Sequence, residues 1–228
     1  MDTSSTMQTD KLTVVITNWN YGMFLRDAVE SVLAQTVLPA KIIFADDGST
    51  DNSLEIENEY CERFPDLFEI SRVDQRQGLP ANLRRTADLV TTEWLCFLAA
   101  DDKFKPTYIE RCAEFFDSDP RLCILYSDMQ KFGNWEGTWE VSEWNEDILR
   151  RGNYINGHAC FRKSVYDECG GYRKDVNGST DFFEDYYLWI DMIDLKKGYY
   201  GRRIPEALVM YRRHDFGHRT DRTDVTKR

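Results

Sequence analysis

The sequence predicts an α/β fold with a mostly parallel central sheet flanked by helices. Short apolar runs typical of strands alternate four times with segments of helical period in the first hundred residues. Two of these runs, 42–45 and 94–100, are almost wholly apolar, as strands covered on both faces usually are. Each of the two ends in adjacent aspartates, at the position where open α/β sheets bind ligands.

In the first half of the chain a predicted helix follows almost every strand. The first strand, 12–17, ends in a polar turn, and apolar residues then recur at helical spacing over 24–33. The second strand, 41–45, continues through Gly48, which permits a turn, into a helix over 53–64. Next come a less regular strand at 68–73, a glycine-containing turn at 75–79, a helix carrying Leu83, Ala87 and Leu89, and the strand at 94–100.

The second half is less regular. Pro106 marks the entry to a helix that extends to about residue 118. The remaining predicted elements are strands at 123–128, 158–162 and 204–211 and helices at 163–169 and 184–195. The segment 131–153 has no clear period and carries three tryptophans, Trp135, Trp139 and Trp144. These indoles fit two interpretations, an exposed platform for sugars or the small core of a lid.

Composition excludes several classes of protein. A chain of 228 residues can bury one good core. Its formal net charge of −11 argues against nucleic acid as the main ligand, because binding to phosphate backbones relies on clustered Lys and Arg. No apolar run is long enough to cross a bilayer. Residues 1–10 lack an apolar signal core, so we expect a flexible N-terminus there and a flexible tail at 219–228.

The cysteines indicate a reducing compartment. All six are scattered, none forms a CxxC pair, and most lie in apolar contexts. We therefore expect reduced, mostly buried thiols in a cytoplasmic protein. The three histidines have no ligand spacing with a cysteine pair, which argues against a zinc site.

Two pairs of carboxylates, Asp46-Asp47 and Asp101-Asp102, follow the two most apolar strands. Adjacent carboxylates at a buried strand end are unfavourable unless a cation or strong hydrogen-bond donors compensate. A hard divalent ion, Mg²⁺ or Mn²⁺, does so by bridging carboxylates to a diphosphate. The alternative interpretation is structural, with Asp46 and Asp47 ending a strand and capping a helix, and with Asp101 and Asp102 capping a helix ahead of Pro106.

The motifs of the chain occur in the order Asn18-Trp19-Asn20-Tyr21, the run 31–36, the run 46–51, Asp101-Asp102, and the later runs 183–189 and 211–214. This order resembles that of the family 2 glycosyltransferases, which have the Rossmann-like GT-A fold. The resemblance covers residues 11–218 and implies one domain with a nucleotide-binding half, 11–102, and a smaller acceptor half, 103–218.

The resemblance implies that the first half binds a nucleotide-diphosphate sugar. A carboxylate at the base site can accept a hydrogen bond from the N3–H group of uracil, which favours uridine or thymidine donors over purines. Residues 78–85 match the loop and helix beside the nucleotide, where an arginine either meets the diphosphate or faces solvent. The donor-binding residues implied in this way are Thr17, Asn18, Asn20, Asp46, Asp47, Gly78, Arg84, Arg85, Asp101 and His214.

The resemblance also implies a metal site and a catalytic base. The family's metal motif maps onto 99–102, with Asp101 and Asp102 holding Mn²⁺ or Mg²⁺ and Ala99 where many members have Asp. His214 would fold over the diphosphate or the metal; the alternative is a surface histidine in a basic patch. Glu184 and Asp185 match the family's acidic pair, which assigns Asp185 as the base and Glu184 as the residue that orients the acceptor. Alternatively, both favour a helix N-terminus electrostatically.

The leading hypothesis is a soluble, metal-dependent, inverting glycosyltransferase of polysaccharide biosynthesis. It would move a hexose-type unit from a nucleotide diphosphate to a hydroxyl of a glycan or a lipid-linked glycan, in the cytoplasm or at the cytoplasmic face of a membrane. The sequence leaves the oligomeric state open. A sugar nucleotidyltransferase is one alternative, but residues 18–22 do not form the glycine-rich basic loop that it needs. A non-catalytic sugar- or nucleotide-binding module is the other, and the intact acidic motifs argue against it.

Overall fold

The computed structural model describes residues 7–173 and 183–214. Within these ranges the strands are β1 (Met7–Gln8), β2 (Leu12–Asn18), β3 (Val37–Leu38), β4 (Lys41–Asp46), β5 (Phe68–Arg72), β6 (Trp94–Ala99), β7 (Lys103–Phe104), β8 (Leu122–Gly133), β9 (Gly137–Trp139), β10 (Cys160–Arg162) and β11 (Tyr200–Arg213). The helices are α1 (Gly22–Leu33), α2 (Ser53–Arg63), α3 (Leu79–Ala87), α4 (Tyr108–Ala113), α5 (Glu146–Leu149), α6 (Lys163–Glu168) and α7 (Glu184–Ile193).

The strands form one nine-stranded sheet and a separate β1–β3 pair. The order in the large sheet is β5-β4-β2-β6-β10-β8-β11-β7, with β9 paired to β8. The first four strands in that order are all parallel. Beyond them β10 is antiparallel to both of its neighbours, β11 runs parallel to β8, and β7 is antiparallel to β11. The predicted α/β fold is confirmed, with a parallel first half and a mixed second half.

The strand order places the polar turns together. The chain builds outward from β2 to β4 and β5, and then returns to the other side of β2 as β6. Asn18 therefore lies opposite Asp46, and Thr17 lies opposite Ala99. Because the strand order reverses at β2, a crevice forms beyond the carboxyl ends of these strands.

Helices cover both faces of the sheet. Successive strand residues point to opposite sides, so neighbouring residues of one strand pack against different helices. Val14 packs in a cluster that includes Leu25 of α1 and Tyr108 of α4. Its neighbour Val15 packs in a second cluster, which includes Leu83 of α3 and Trp189 of α7. Both clusters contain residues from before and after position 102, so each of them joins the two predicted halves.

Several boundaries differ from the sequence prediction. The strands β8 and β11 extend beyond the predicted 123–128 and 204–211, because they pair with each other over nearly their whole lengths. The predicted flexible N-terminus is partly ordered, since β1 pairs with β3. Residues 1–6 and the predicted tail at 219–228 lie outside the described ranges.

The six cysteines are free thiols, as expected. In the ranges that the structure covers, no helix is both long and apolar enough to cross a bilayer.

Candidate active site

A cavity of about 400 Å³ opens at the carboxyl edge of β2, β4 and β6. Apolar side chains such as Leu83 and Phe97 form part of its wall. Seven of the residues that the sequence assigned to the site also line it: Thr17, Asn18, Asp47, Asp101, Asp102, Glu184 and Asp185. The fold thus brings motifs that are far apart in the sequence into one cavity.

The two aspartates after β4 have different surroundings. Asp46 is fully buried and is not part of the cavity lining. Its carboxylate accepts hydrogen bonds from the backbone N–H groups of Gly48, at 3.0 Å, and Ser49, at 2.8 Å, and it pairs with Arg72 at 3.2 Å. Asp46 therefore holds the turn after β4, and Asp47 presents the carboxylate that borders the cavity.

Asp47 lies at the cavity edge together with Trp19 and Arg76. Its two oxygens accept hydrogen bonds from the backbone N–H groups of Gln77 and Gly78, each at 2.8 Å. The Nε atom of Arg76 lies 3.9 Å from the same carboxylate. The Arg76 guanidinium also lies over the indole of Trp19, 3.4 Å from the ring centroid. Trp19 and Arg76 both line the cavity, and Arg76 lies outside every motif that the sequence offered.

The two asparagines of the turn after β2 form hydrogen bonds mainly with neighbouring residues of the protein. Asn18 lines the cavity, and its amide donates a 3.2 Å hydrogen bond to Asp46. Asn20, which has a positive φ of 56°, accepts a 2.7 Å hydrogen bond from the backbone N–H of Thr50. Asn20 is not part of the lining. Its contact ties the turn after β2 to the turn after β4.

The two arginines of α3 are also outside the cavity lining. Arg84 donates a 2.9 Å hydrogen bond to the carbonyl of Gly170 and a second, short one to the carbonyl of Tyr172. Arg85 donates to the side chains of Ser71 and Asn82. In this structure both guanidiniums thus join segments of the wall, and neither lines the cavity where the diphosphate was expected.

The second aspartate pair lies against two histidines. Asp102 accepts a 2.7 Å hydrogen bond from the backbone N–H of Arg212, and its other oxygen lies 2.9 Å from His158 Nε2. Asp101 lies 3.0 Å from His214 Nε2. His214 contacts the pair from outside the cavity, whereas His158 lines it. His158 was not foreseen, because its position beside Asp102 depends on the pairing of β10 with β6.

The chemistry of this pair fits a divalent cation. Burial, together with the negative charge of Asp102, raises the pKa of Asp101, and the contact with His214 partly offsets this. A cation would relieve that repulsion, and carboxylate oxygens suit Mg²⁺ and Mn²⁺. Among residues 7–173 and 183–214 no three Asp, Glu, His or Cys side chains are arranged to hold an ion by themselves. Two carboxylates completed by substrate phosphates are a common arrangement for Mg²⁺.

The acidic pair at the start of α7 forms another part of the wall. Asp185 accepts hydrogen bonds from the backbone N–H of Tyr186, at 2.7 Å, and from the amide of Asn153, at 3.3 Å. Burial, and then the negative charge of Glu184, raises the pKa of Asp185 to about 7. Near neutral pH both protonation states of this carboxyl are therefore populated, a condition that suits acid–base chemistry.

A mixed α/β sheet with acidic groups gathered at its carboxyl edge is the architecture of GT-A nucleotide-sugar transferases. Residues 13–177 match the family described as Glycosyl transferase family 2, and the chain belongs to that family. The resemblance read from the sequence motifs is thereby confirmed. An uncharacterized glycosyltransferase of Nostoc sp. is 38% identical over 117 residues, which cover 51% of this chain and 36% of that protein. The putative glycosyltransferase EpsE of Bacillus subtilis is 25% identical over 206 residues, covering 89% of this chain and 73% of EpsE.

Solved structures agree on the fold. The S. aureus TarS 1–349 structure in complex with UDP-GlcNAc has a TM-score of 0.73 and 15% identity, over 91% of this chain and 60% of that one. The mannosyltransferase PcManGT from Pyrobaculum calidifontis, in complex with GDP-Man and Mn²⁺, has a TM-score of 0.67 and 16% identity, over 91% of this chain and 58% of that one. At such identities the likeness shows the fold alone. This chain spans about three fifths of the length of either structure.

Proposed function

We propose that the chain is a metal-dependent, inverting glycosyltransferase. It moves a sugar from a nucleotide-diphosphate donor, UDP- or dTDP-linked, to a hydroxyl of a glycan or a lipid-linked glycan. The observation that carries this proposal is the single cavity that Asp47, the Asp101–Asp102 pair and Asp185 all line. The nucleotide sugars bound to TarS and PcManGT, and the Mn²⁺ bound to PcManGT, support the same class of ligand.

The nucleotide base would bind at the rim formed by Trp19, Arg76 and Asp47. The Arg76 guanidinium covers one face of the Trp19 indole, so a base would stack on the guanidinium plane or on the opposite face of the indole. Asp47 already accepts two backbone hydrogen bonds, but an ionised carboxylate has about four acceptor positions. It can therefore also accept from the N3–H of a uracil or thymine ring. The ring nitrogens of the pairing edges of adenine and cytosine carry no hydrogen, which is why we favour UDP or dTDP over ADP or CDP, and the GDP-sugars in the screen below test guanine.

The diphosphate would lie beside Asp101 and Asp102. A divalent ion held by these carboxylates, when bound, would neutralise the negative charge that develops on the leaving diphosphate. The protein's own contribution is to fix the two carboxylates. His158 and the Arg212 N–H hold Asp102, and His214 holds Asp101, so their oxygens need little rearrangement.

The acceptor would react beside α7. Asp185 takes the proton of the acceptor hydroxyl as the oxygen attacks the anomeric carbon from the face opposite the diphosphate. A new C–O bond forms, the bond from the anomeric carbon to the diphosphate oxygen breaks, and the configuration inverts. Glu184 lines the same wall and would orient the acceptor.

A ligand screen followed by a transfer assay tests this function. UDP-, dTDP- and GDP-sugars are compared by thermal shift with Mn²⁺ and with a chelator, because a ligand of the native state raises its apparent stability. We expect a UDP- or dTDP-sugar to stabilise the protein only with metal, and this effect to be lost in Asp102→Asn. The matched control is Asp147→Asn, an exposed change in α5.

The transfer assay then separates the alternatives. Release of free nucleoside diphosphate on addition of a glycan acceptor supports glycosyl transfer. Release of pyrophosphate from a nucleoside triphosphate and a sugar phosphate would instead identify a nucleotidyltransferase. Binding of a nucleotide sugar without nucleoside diphosphate release, across a panel of glycan and lipid-linked acceptors, would identify a binding module.

A further inference from the structure

Two exposed indoles lie on the hairpin formed by β8 and β9. Trp135 is 59% exposed and Trp139 is 45% exposed, although large apolar side chains are usually more protected. The third tryptophan of the segment, Trp144, is half-buried and packs on Gly201. The two interpretations of the segment 131–153 therefore apply to different residues: Trp144 belongs to a core, and Trp135 and Trp139 form a surface, here called the indole platform.

The indole platform lies on the face of the sheet that leads to the cavity. Trp139 pairs with Met129 across the hairpin, and Lys131 lies two residues beyond Met129, on the same face. Lys131 in turn pairs with Tyr211 of β11, and side chains of paired residues share a face. Tyr211 lines the cavity. Adjacent strands thus carry a continuous row of side chains from the cavity to the indole platform.

One lysine holds both rings of the platform. The Lys131 ammonium is 4.5 Å from the ring centroid of Trp135 and 5.5 Å from that of Trp139. Both distances are within the range of cation–π contacts. Because both indoles contact the same ammonium, they share one side of the hairpin and are restricted in orientation. A ligand that stacks on them therefore loses less side-chain entropy than it would on freely rotating rings.

The chemistry of the indole platform fits an uncharged saccharide. A pyranose ring has an apolar C–H face and polar hydroxyl edges, and an indole offers an apolar face with one N–H donor. Glu136 and Glu140 flank the platform, in a chain whose net charge is −11. The two glutamates outweigh the one ammonium of Lys131 and oppose binding to an anionic membrane, which attracts clusters of Lys and Arg.

We propose that the indole platform binds the glycan chain of the acceptor, at uncharged sugar units remote from the hydroxyl that reacts. This assignment rests on the proposed function of the cavity, since it is the acceptor that would extend from Asp185 past Tyr211 to the hairpin. It predicts that long acceptors bind better than short acceptors of the same sugar.

The test measures binding and transfer separately. Wild-type protein and the double variant Trp135→Ala/Trp139→Ala are applied to an array of neutral oligosaccharides that includes short and long members of each series. For each glycan that binds, transfer kinetics are measured with long and short acceptors. Trp135→Phe/Trp139→Phe keeps an aromatic face, and Leu89→Ala removes an exposed apolar side chain elsewhere, so these are the conservative and matched controls.

We expect the double alanine variant to bind long glycans about tenfold more weakly, with a higher KM for long acceptors but unchanged kcat. Transfer to short acceptors and thermal stabilisation by the donor should not change, and the phenylalanine variant should recover most of the binding. Glycan binding that depends on the platform without any transfer would support a glycan site at the indole platform, but it would overturn the proposed function and with it the assignment of that glycan as the acceptor.

Three results would overturn the assignment. The first is an array on which the wild type binds no glycan, and the second is an array on which the wild type and the alanine variant bind alike. The third is co-sedimentation with phosphatidylglycerol vesicles that the alanine variant loses while glycan binding persists unchanged, because this would identify the indole platform as a membrane contact. Retained donor binding in either variant shows that the cavity is intact in all three cases.

Discussion

At the scale of single residues, Asp185 gives the sharpest test of the proposed chemistry. Asp185→Asn keeps the shape of the side chain but removes its ability to accept a proton. We expect kcat to fall by about 10²–10⁴-fold, the usual contribution of a general base, with donor affinity unchanged. Asp194→Asn, at the other end of α7, changes an acid that is 48% exposed and paired with Arg150, and should keep activity. Wild-type kcat in Asp185→Asn would contradict the assignment.

The same carboxyl should set the pH dependence of the reaction. Only ionised Asp185 can take a proton, and its pKa is raised to about 7 by burial and then by the charge of Glu184. The value of kcat/KM should therefore rise with pH through about 7 and level off above it. Glu184→Gln removes the negative charge at position 184, so the pKa of Asp185 should fall. The rise of kcat/KM should then occur at lower pH. A profile of kcat/KM against pH for both proteins measures this shift, and an unmoved profile would contradict the coupling.

Individual side chains also show where sequence reasoning reaches its limit. The aspartate pairs could be located, because an apolar run followed by acids identifies a strand end. The sequence could not tell which acid of a pair faces the cavity, since successive residues at a strand end point to opposite sides. Asp46 was assigned to the donor, yet here it is buried on Arg72. The partners of Arg84 depend on the loop around Gly170, which is distant in the sequence.

At the scale of elements, the end of β8 lies so close to the end of β11 that Gly133 has no room for a side chain. Its φ is +93°, and a Cβ atom there would lie 2.5 Å from the carbonyl oxygen of Arg213. That oxygen also accepts a 2.8 Å hydrogen bond from the N–H of Asn134. We expect Gly133→Ala to lower the free energy of unfolding by about 1–3 kcal/mol, through backbone strain and the clash.

Urea unfolding measures this change, and Gly152→Ala is the matched control. A Cβ at Gly152 meets no atom within 4 Å, and the residue is not among the glycines with positive φ. The control variant should unfold at nearly the wild-type midpoint. Equal midpoints for the two alanine variants would show that the strand end accommodates a side chain at position 133.

The elements that sequence could predict are the ones with local signals. The alternating strands and helices of the first hundred residues have clear periods and turn residues, and the structure confirms the α/β fold they indicate. The sequence underestimated the length of the pairing between β8 and β11. Both strands end in polar residues, and each end is a strand only because it pairs with the end of the other. The β1–β3 pair rests on contacts between segments almost thirty residues apart, for which the two short segments carry no periodic signal.

At the scale of the whole molecule, a buried carboxyl on α2 should make the stability depend on pH. Burial and the nearby charge of Asp46 raise the pKa of Glu57, on α2, from 4.5 to about 8. Its Oε2 atom has no hydrogen-bond partner in the part of the chain that the structure describes. The folded protein therefore favours the protonated carboxyl, whereas the unfolded chain releases that proton at an ordinary pKa.

This difference predicts a stability that falls as the pH rises. Between pH 4.5 and about 8 the folded state binds more protons at Glu57 than the unfolded state does, so raising the pH favours unfolding. Gln cannot ionise, so Glu57→Gln should be more stable than the wild type by on the order of 4 kcal/mol at the upper end of this range. The difference should shrink as the pH approaches the lower end.

Urea unfolding across this pH range measures the effect, and Glu55→Gln, an exposed change on the same helix, is the control. Other carboxyls such as Asp185 titrate in the same range, so the informative quantity is the difference between variant and wild type at each pH. Parallel stability curves for Glu57→Gln and the wild type would show that the Glu57 carboxyl has the same pKa in the folded and unfolded chains. A gap that widens with pH, absent in Glu55→Gln, would show that the folded protein keeps the Glu57 carboxyl protonated to a higher pH than the unfolded chain does.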